Sequence, residues 1–376
     1  MKLNRIGKTL GTTLSATAIA ALTLTACGSD NNAGTTSSGT ASPAGNATAA
    51  DCGGKNSVTA EGSTAQQNAI AEFNKVWGQV CSGKTLAYNP TGSGAGVDQF
   101  IAKQVDFAGS DSALKDDQVT KAADRCGGNP AWNLPLVFGP VALAYSVEGV
   151  DKLVVNADVV AKIFQGEIKK WNDPAIAALN SGATLPDADI KPIYRSDSSG
   201  TTDNFQKYLG AAAPAAWTKG AGKEFQGGAG EGAQKSSGVV QAIQATPGGI
   251  GYVEKGFAQQ AGLKMAQIDS GAGPVELTDE TTGKAVDTAK FKGEGNDLIL
   301  DLNALYASKE AGSYPLMLAT YEIVCSKGYD ADTAAAVKSF LIISANQGQA
   351  NLSAAGYVPL PAAFKERLLK SVDAIA

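Results

Sequence analysis

The chain has 376 residues, 44% of them hydrophobic, a formal charge of −5 and no histidine. An acidic chain is a poor match for nucleic acid or an anionic membrane surface. Without histidine, neither a His-based catalytic triad nor a His-ligated zinc site can be assembled.

Residues 1–26 have the composition of a secretory signal. Lys2, Arg5 and Lys8 form a positive start, and Thr9 to Ala26 is uncharged and rich in Leu, Ala and Thr. The stretch ends in Leu24-Thr25-Ala26-Cys27, which resembles the lipobox of bacterial lipoproteins. There the cysteine becomes the mature N-terminus and carries a lipid. A chain cut at this point loses three positive charges and no acids, so its charge moves from −5 to −8. Residues 27–54 are mostly Gly, Ser, Thr, Asn and Ala and lack large apolar side chains. They read as a flexible tether. No later run reaches the roughly 18 apolar residues of a spanning helix. The expected location is the extracytoplasmic face of the cell membrane, with the chain held there by the lipid on Cys27.

The remainder, about 320 residues, suffices for one large domain or two ordinary ones. Asn56–Ala60 reads as a strand, Glu61–Thr64 as a turn, and Thr64–Val80 as a helix with Ala69, Ile70, Phe73, Val76 and Trp77 on one face. The unit repeats: Thr85–Tyr88 is strand-like, Thr91–Gly96 a glycine-rich turn, and Val97, Phe100 and Ile101 fit a helix. Val105–Ala108 is strand-like again. Leu134–Val147 is a long apolar run broken by Gly139-Pro140, with the look of a strand passing between lobes. Ile190–Arg195 is a strand, Ser196–Gly200 a turn, and Phe205, Tyr208 and Leu209 begin a helix. Residues 219–238 read as a Gly-rich loop, and 270–296 as a hairpin or extended surface segment. Tyr314–Val324 is a second apolar crossing, and helices over Thr333–Ser344 and Ala362–Val372 close the chain. Alternating strands and helices indicate an α/β fold, in two lobes joined by two crossings. The expected division is 55–138 with 314–376 as lobe I and 139–313 as lobe II. Trp77, Trp132, Trp171 and Trp217 read as core or lobe-surface residues.

With Cys27 assigned to the lipid, Cys52, Cys81, Cys126 and Cys325 remain. An even number in an exported chain suggests two disulfides with three possible connectivities. Closeness in sequence favours Cys52–Cys81, leaving Cys126–Cys325. The wide spacings argue against a metal site.

Three turns of Gly, Ser and Thr each stand between a strand and a helix: Gly62–Ala65, Thr91–Gly96 and Ser198–Thr201. Each places free backbone N–H groups at a helix start, where anions bind. Glu61-Gly62-Ser63-Thr64, Thr91–Gly96, Asp106–Asp111 and Arg195–Thr201, in that order, resemble the phosphate-binding lipoproteins of Pst-type importers. The similarity runs from about Asn56 to Ala376.

The resemblance implies the two-lobed periplasmic-binding-protein fold (type II), with inorganic phosphate in the interlobe cleft and no cofactor. It also implies delivery to the membrane permease subunits of an ABC importer by a monomeric protein that is not an enzyme. By motif, Thr64 contributes hydroxyl and amide, Ala65 an amide, Ser93 a hydroxyl, Arg195 its guanidinium, and Ser199, Gly200 and Thr201 amides and hydroxyls. Asp111 is the acceptor facing the ligand. Such a carboxylate helps only if the ligand brings a proton, which phosphate does at neutral pH and sulfate does not. Arg195 is expected to pair with Asp197. The alternatives are a binding protein for another oxyanion such as sulfate, and a surface-exposed phosphatase-like hydrolase using Ser93 or Ser199. No histidine exists to activate either serine.

Overall fold

The computed structural model describes residues 52–376 with the exception of Glu294. The expected signal segment, Cys27 and most of the tether lie outside the described residues. Strand Ser57–Gly62 turns Val58, Ala60 and Gly62 inward and leaves Ser57 and Thr59 exposed, the period of two that one buried face demands. It pairs in parallel with Thr85–Pro90 on one side and Phe107–Ser110 on the other. The intervening helix Gln67–Val80 buries Ala69, Ile70, Phe73 and Trp77. Trp77 donates its indole N–H to Ser339 Oγ at 2.9 Å and stands edge-on to Phe340, 5.4 Å away, on helix Ala331–Asn346. Such an aromatic pair adds about 0.5–1.5 kcal/mol to its area burial. Helix Ser93–Ile101 lies tight on the first strand. A Cβ on Gly96 would stand 2.4 Å from the Gly62 Cα, so only glycine permits that approach.

These strands belong to a nine-stranded sheet. In spatial order it runs Thr85–Pro90, Ser57–Gly62, Phe107–Ser110, Met317–Cys325, Ala131–Ser146, Gly249–Glu254, Lys191–Arg195 and Glu231–Ala233, with Lys264–Met265 also on Ala131–Ser146. The sixteen-residue strand Ala131–Ser146 ties the two halves together. Up to Pro140 it pairs antiparallel with Met317–Cys325; from Val141 onward it pairs with Gly249–Glu254. Val141 N–H still reaches back to the Leu316 carbonyl, 3.0 Å away. The expected crossings thus lie side by side on two adjacent strands. A bulge between Thr320 and Tyr321 leaves Leu136 without an opposite residue, next to Pro135. Proline lacks a ladder donor and is tolerated inside sheets at such irregularities. Trp77, Trp171 and Trp217 are buried and Trp132 half-buried, in line with core and lobe-surface roles. Among the described residues no helix is long and apolar enough to cross a membrane.

Three expectations need correction. The Gly-rich loop over 219–238 contains strand Glu231–Ala233 and the start of helix Lys235–Ala245; glycine content concealed both. The segment 270–296 is not a plain hairpin. Thr278 caps helix Asp279–Asp287 by accepting from Thr281 N–H at 3.2 Å, while Thr281 Oγ1 accepts from Thr278 N–H at 3.0 Å. This reciprocal cap satisfies two free donors at once and outweighs the β-branched composition. Short antiparallel pairs flank that helix, Pro274–Val275 with Gln267–Asp269 before it and Lys290–Phe291 with Leu300–Asp301 after it. The end of the expected tether is also anchored. Lys84 Nζ donates to the Gly53 and Lys55 carbonyls, both at 2.9 Å, and Lys55 N–H to the Asp332 carbonyl at 3.1 Å.

Cys52–Cys81 and Cys126–Cys325 are bonded, spanning 29 and 199 residues. A longer closed loop removes more entropy from the unfolded chain. Replacing Cys126 and Cys325 by Ala is expected to lower the unfolding free energy by about 3–5 kcal/mol, roughly 1–2 kcal/mol more than the same change at Cys52 and Cys81. Urea unfolding curves of the two double variants measure the difference.

Candidate functional site

The sheet brings the ends of several strands, and the turns that follow them, to one buried locus between the halves. Asp111 follows strand Phe107–Ser110 and is 3% exposed. Ser63 Oγ and Thr320 Oγ1 each donate to its Oδ1 at 2.6 Å, and Ser93 Oγ donates to Oδ2 at 3.0 Å. Ser93 Oγ also accepts from Asp111 N–H at 3.1 Å. Burial pushes the Asp111 carboxyl above its ordinary value. The hydroxyls of Ser63, Thr320 and Ser93 pull it down, and the charge of Glu254 adds to the rise.

Arg195 ends strand Lys191–Arg195 and is likewise 3% exposed. Its Nε donates to Asp197 Oδ1 at 2.7 Å and its Nη2 to Asp197 Oδ2, the expected two-point pairing. Burial opposes charge on both partners, but their mutual hydrogen bonds and attraction prevail. The guanidinium is held above its usual range and the Asp197 carboxyl below its own. Asp197 Oδ1 also accepts from Lys235 N–H at 3.0 Å, which fixes the start of helix Lys235–Ala245. There Ser236 lies 2.8 Å from Thr64 Oγ1 and accepts from Arg195 Nη1 at 3.5 Å.

From the second half, Ser199 caps helix Gly200–Ala212 by accepting from Thr202 N–H at 3.2 Å. The Gly200 and Thr201 amides, at the first two helical positions, have no partner within the helix. Thr201 Oγ1 donates to Glu254 Oε1 at 2.5 Å. Ala65 N–H is turned to Ser63 Oγ at 3.0 Å. The structure therefore brings together Thr64, Ala65, Ser93, Asp111, Arg195, Ser199, Gly200 and Thr201, all buried. A cavity of about 150 Å³ is lined in part by Asp111 and Asn204, and cavities of about 460 and 480 Å³ lie elsewhere and share no residue with this cluster.

Sequence reasoning missed Ser236, Glu254 and Thr320. Lys235-Ser236-Ser237-Gly238 repeats the small, hydroxyl-rich composition of Ser198–Gly200, and that signal was available. Thr320 reaches Asp111 only because of sheet register, which no local pattern reveals. Glu254 hides at the end of an apolar strand.

The halves are shut upon each other. Gly94 N–H donates to the Ser198 carbonyl at 3.1 Å, Asn204 Nδ2 to the Asp111 carbonyl at 2.6 Å, and Ser112 Oγ to Asp203 Oδ2 at 2.5 Å. A Cβ on Gly200 would stand 2.5 Å from Asp111 Cβ and 2.7 Å from Ser93 Oγ. Gly200→Ala is expected to leave each half folded, since alanine suits a helix start, while preventing closure. Small-angle scattering should give a larger radius of gyration than wild type, with an unchanged circular dichroism spectrum. An unchanged radius would show that closure tolerates the methyl group.

Residues 16–346 match a PBP superfamily domain. The phosphate-binding protein PstS 3 of Mycobacterium tuberculosis is 49% identical over 379 residues, covering 100% of both chains. PstS 2 of the same organism is 47% identical over 370 residues, covering 97% of this chain and 98% of the relative. Among solved structures, a high-affinity periplasmic phosphate-binding protein bound with phosphate superposes with a TM-score of 0.65 at 22% identity, over 82% of this chain and 92% of the other. A phosphate-binding protein from Stenotrophomonas maltophilia gives 0.62 at 19%, over 84% and 93%. At those identities the superpositions establish the two-lobed fold, and the mycobacterial relatives establish the lineage. This chain belongs to the PBP superfamily and, within it, to the PstS phosphate-binding proteins.

Proposed function

We propose that this chain captures inorganic phosphate in the cleft between its halves and delivers it to the permease subunits of an ABC importer. One observation carries the reading: a buried carboxylate, Asp111, shares a closed locus with a buried arginine and with helix starts from both halves. Arg195, held flat by Asp197, offers its remaining N–H groups to ligand oxygens. The starts of helices Ser93–Ile101 and Gly200–Ala212 add donors and partial positive charge. Thr64, Ser93 and Ser199 supply hydroxyls, and Ala65, Gly200 and Thr201 supply amides. Bonds that now join these groups to one another, such as Ala65 N–H to Ser63, are exchanged for bonds to the ligand. Asp111 then accepts a proton that phosphate has and sulfate lacks. The names of the mycobacterial relatives support the same ligand.

In this reading lobe I is 55–138 with 314–376 and lobe II is 139–313. The ligand leaves chemically unchanged, so the chain works by binding alone, as a monomer, without metal or cofactor. It acts outside the cytoplasm, tethered by a lipid on Cys27 after removal of residues 1–26. Closure is favoured by whatever binding energy differs between open and closed forms.

Asp111→Asn replaces an acceptor by a donor within a buried network. It is expected to weaken phosphate binding by about 1–3 kcal/mol and to admit sulfate, both read by calorimetric titration at neutral pH. Unchanged selectivity would remove the role given to Asp111. Cys27→Ala is expected to move the protein from the membrane to the soluble fraction on cell fractionation, with phosphate affinity unchanged. Retention in the membrane would rule out the anchor.

A further inference from the structure

Two neighbouring residues of helix Gly200–Ala212 hold two neighbouring residues of the opposite half. Asp203 and Asn204 follow Gly200 by three and four places, so all three share one helix face. That face is pressed on Asp111 and Ser112: a Cβ on Gly200 would meet the Asp111 Cβ at 2.5 Å. Asn204 Nδ2 donates to the Asp111 carbonyl at 2.6 Å, and Asp203 Oδ2 accepts from Ser112 Oγ at 2.5 Å. Asp203, Asn204 and Ser112 are all buried.

Both sides of this contact are braced. Lys207, one turn further along the helix, donates to the same Asp203 oxygen at 2.5 Å. Tyr306 Oη donates to Asn204 Oδ1 at 2.6 Å and lies 3.1 Å from the Met317 carbonyl. The tyrosine proton settles which end of the Asn204 amide is the acceptor. The amide hydrogens then point at the Asp111 carbonyl and at the Gly200 carbonyl, 2.8 Å away. With both engaged, Asn204 has no donor left for a ligand. On the opposite side, Ser110 Oγ donates to the Ser112 carbonyl at 2.7 Å and Ser93 Oγ accepts from Asp111 N–H at 3.1 Å. The turn that is gripped is therefore fixed in place.

The grip exists only while the halves are together. Asp111, Ser112, Asn204, Lys207 and Tyr306 also line the cavity of about 150 Å³. Water entering there can take over their hydrogen bonds when the halves part. Opening thus exchanges direct bonds for hydrated ones, a modest cost for each bond.

We propose that Asp203 and Asn204 form a clasp on Asp111 and Ser112 that sets how long phosphate stays bound. Both are positioning residues, acting on the backbone and the neighbour of the ligand's acceptor rather than on the ligand. This rests on the phosphate reading above and deepens it. A clasp that forms after the ligand has entered slows its exit. The encounter and the choice of anion stay with the groups already described.

The test separates rates from affinity. Calorimetric titration of the phosphate-free protein with inorganic phosphate gives Kd. Release of radiolabelled phosphate into excess unlabelled phosphate gives koff, and the quotient koff/Kd gives kon. Asn204→Ala leaves the Asp111 carbonyl and the Tyr306 hydroxyl without their partner. It is expected to raise koff and Kd together by about ten- to hundredfold, with kon within about twofold of wild type. Ser112→Ala is expected to shift both in the same direction by about three- to tenfold. Tyr306→Phe, which frees the amide to turn over, is expected to raise koff as well. In all three variants sulfate stays excluded, in contrast to Asp111→Asn. An unchanged koff in Asn204→Ala would overturn the proposal. Equal rises in koff and kon at constant Kd would also overturn it, since they report a general loosening of the joint, and so would sulfate binding in any of the three. If Asn204→Ala does not fold, as judged by its thermal transition, Ser112→Ala and Tyr306→Phe decide by the same criteria. Failure of the wild type to bind phosphate would instead refute the phosphate reading itself.

Discussion

The carboxylate of Asp111 is held away from water by three hydroxyls, and much of the molecule exists to deliver them. Ser63 comes from the turn after the first strand, Ser93 from the start of a helix, and Thr320 from a strand more than 200 residues further on. An unpaired carboxylate at that depth would be driven to neutrality. Each donor therefore keeps the group usable as an acceptor. The bulge beside Thr320 adjusts strand register at the point where the side chain must meet Asp111, a common use of such irregularities.

The second half is organised around a different pair. Arg195 and Asp197 are two residues apart on a strand end, and Asp197 also holds the start of the helix that carries Ser236. One ion pair thus aligns the guanidinium and positions a hydroxyl that touches Thr64 of the opposite half. Buried pairs of this kind contribute little net stability, yet breaking one is expensive. Their value here is geometric. Across the cleft itself the hydrogen bonds run between turns and helix starts, as from Gly94 to Ser198 and from Asn204 to Asp111.

Local chemistry made much of this legible in advance. Small hydroxyl residues between a strand and a helix pointed to Ser93, Ser199 and their neighbours, because free amides at helix starts follow from backbone geometry alone. Arg195 was marked by the family resemblance, and its pairing with Asp197 was expected along with it. The apolar run broken by Gly139-Pro140 became the strand that passes between the halves. What stayed hidden depends on contacts distant in sequence. Nothing around Thr320 says that it will face Asp111, and nothing in Gly249–Glu254 says that its last residue is in the cleft. Glycine content disguised the helix that begins at Lys235, and the threonines of 278–282 concealed a capped helix behind strand-like composition.

Strand Met317–Cys325 lies between Phe107–Ser110 and Ala131–Ser146. The central strand of the first half is thus among the last parts of the chain to be made. Until it arrives, the strands on either side face an empty lane, and Cys126 waits for a partner 199 residues downstream. The sheet of the first half cannot be completed until this strand has been made. Unpaired strand edges are sites of misassociation, so the nascent chain is most exposed to it during that interval.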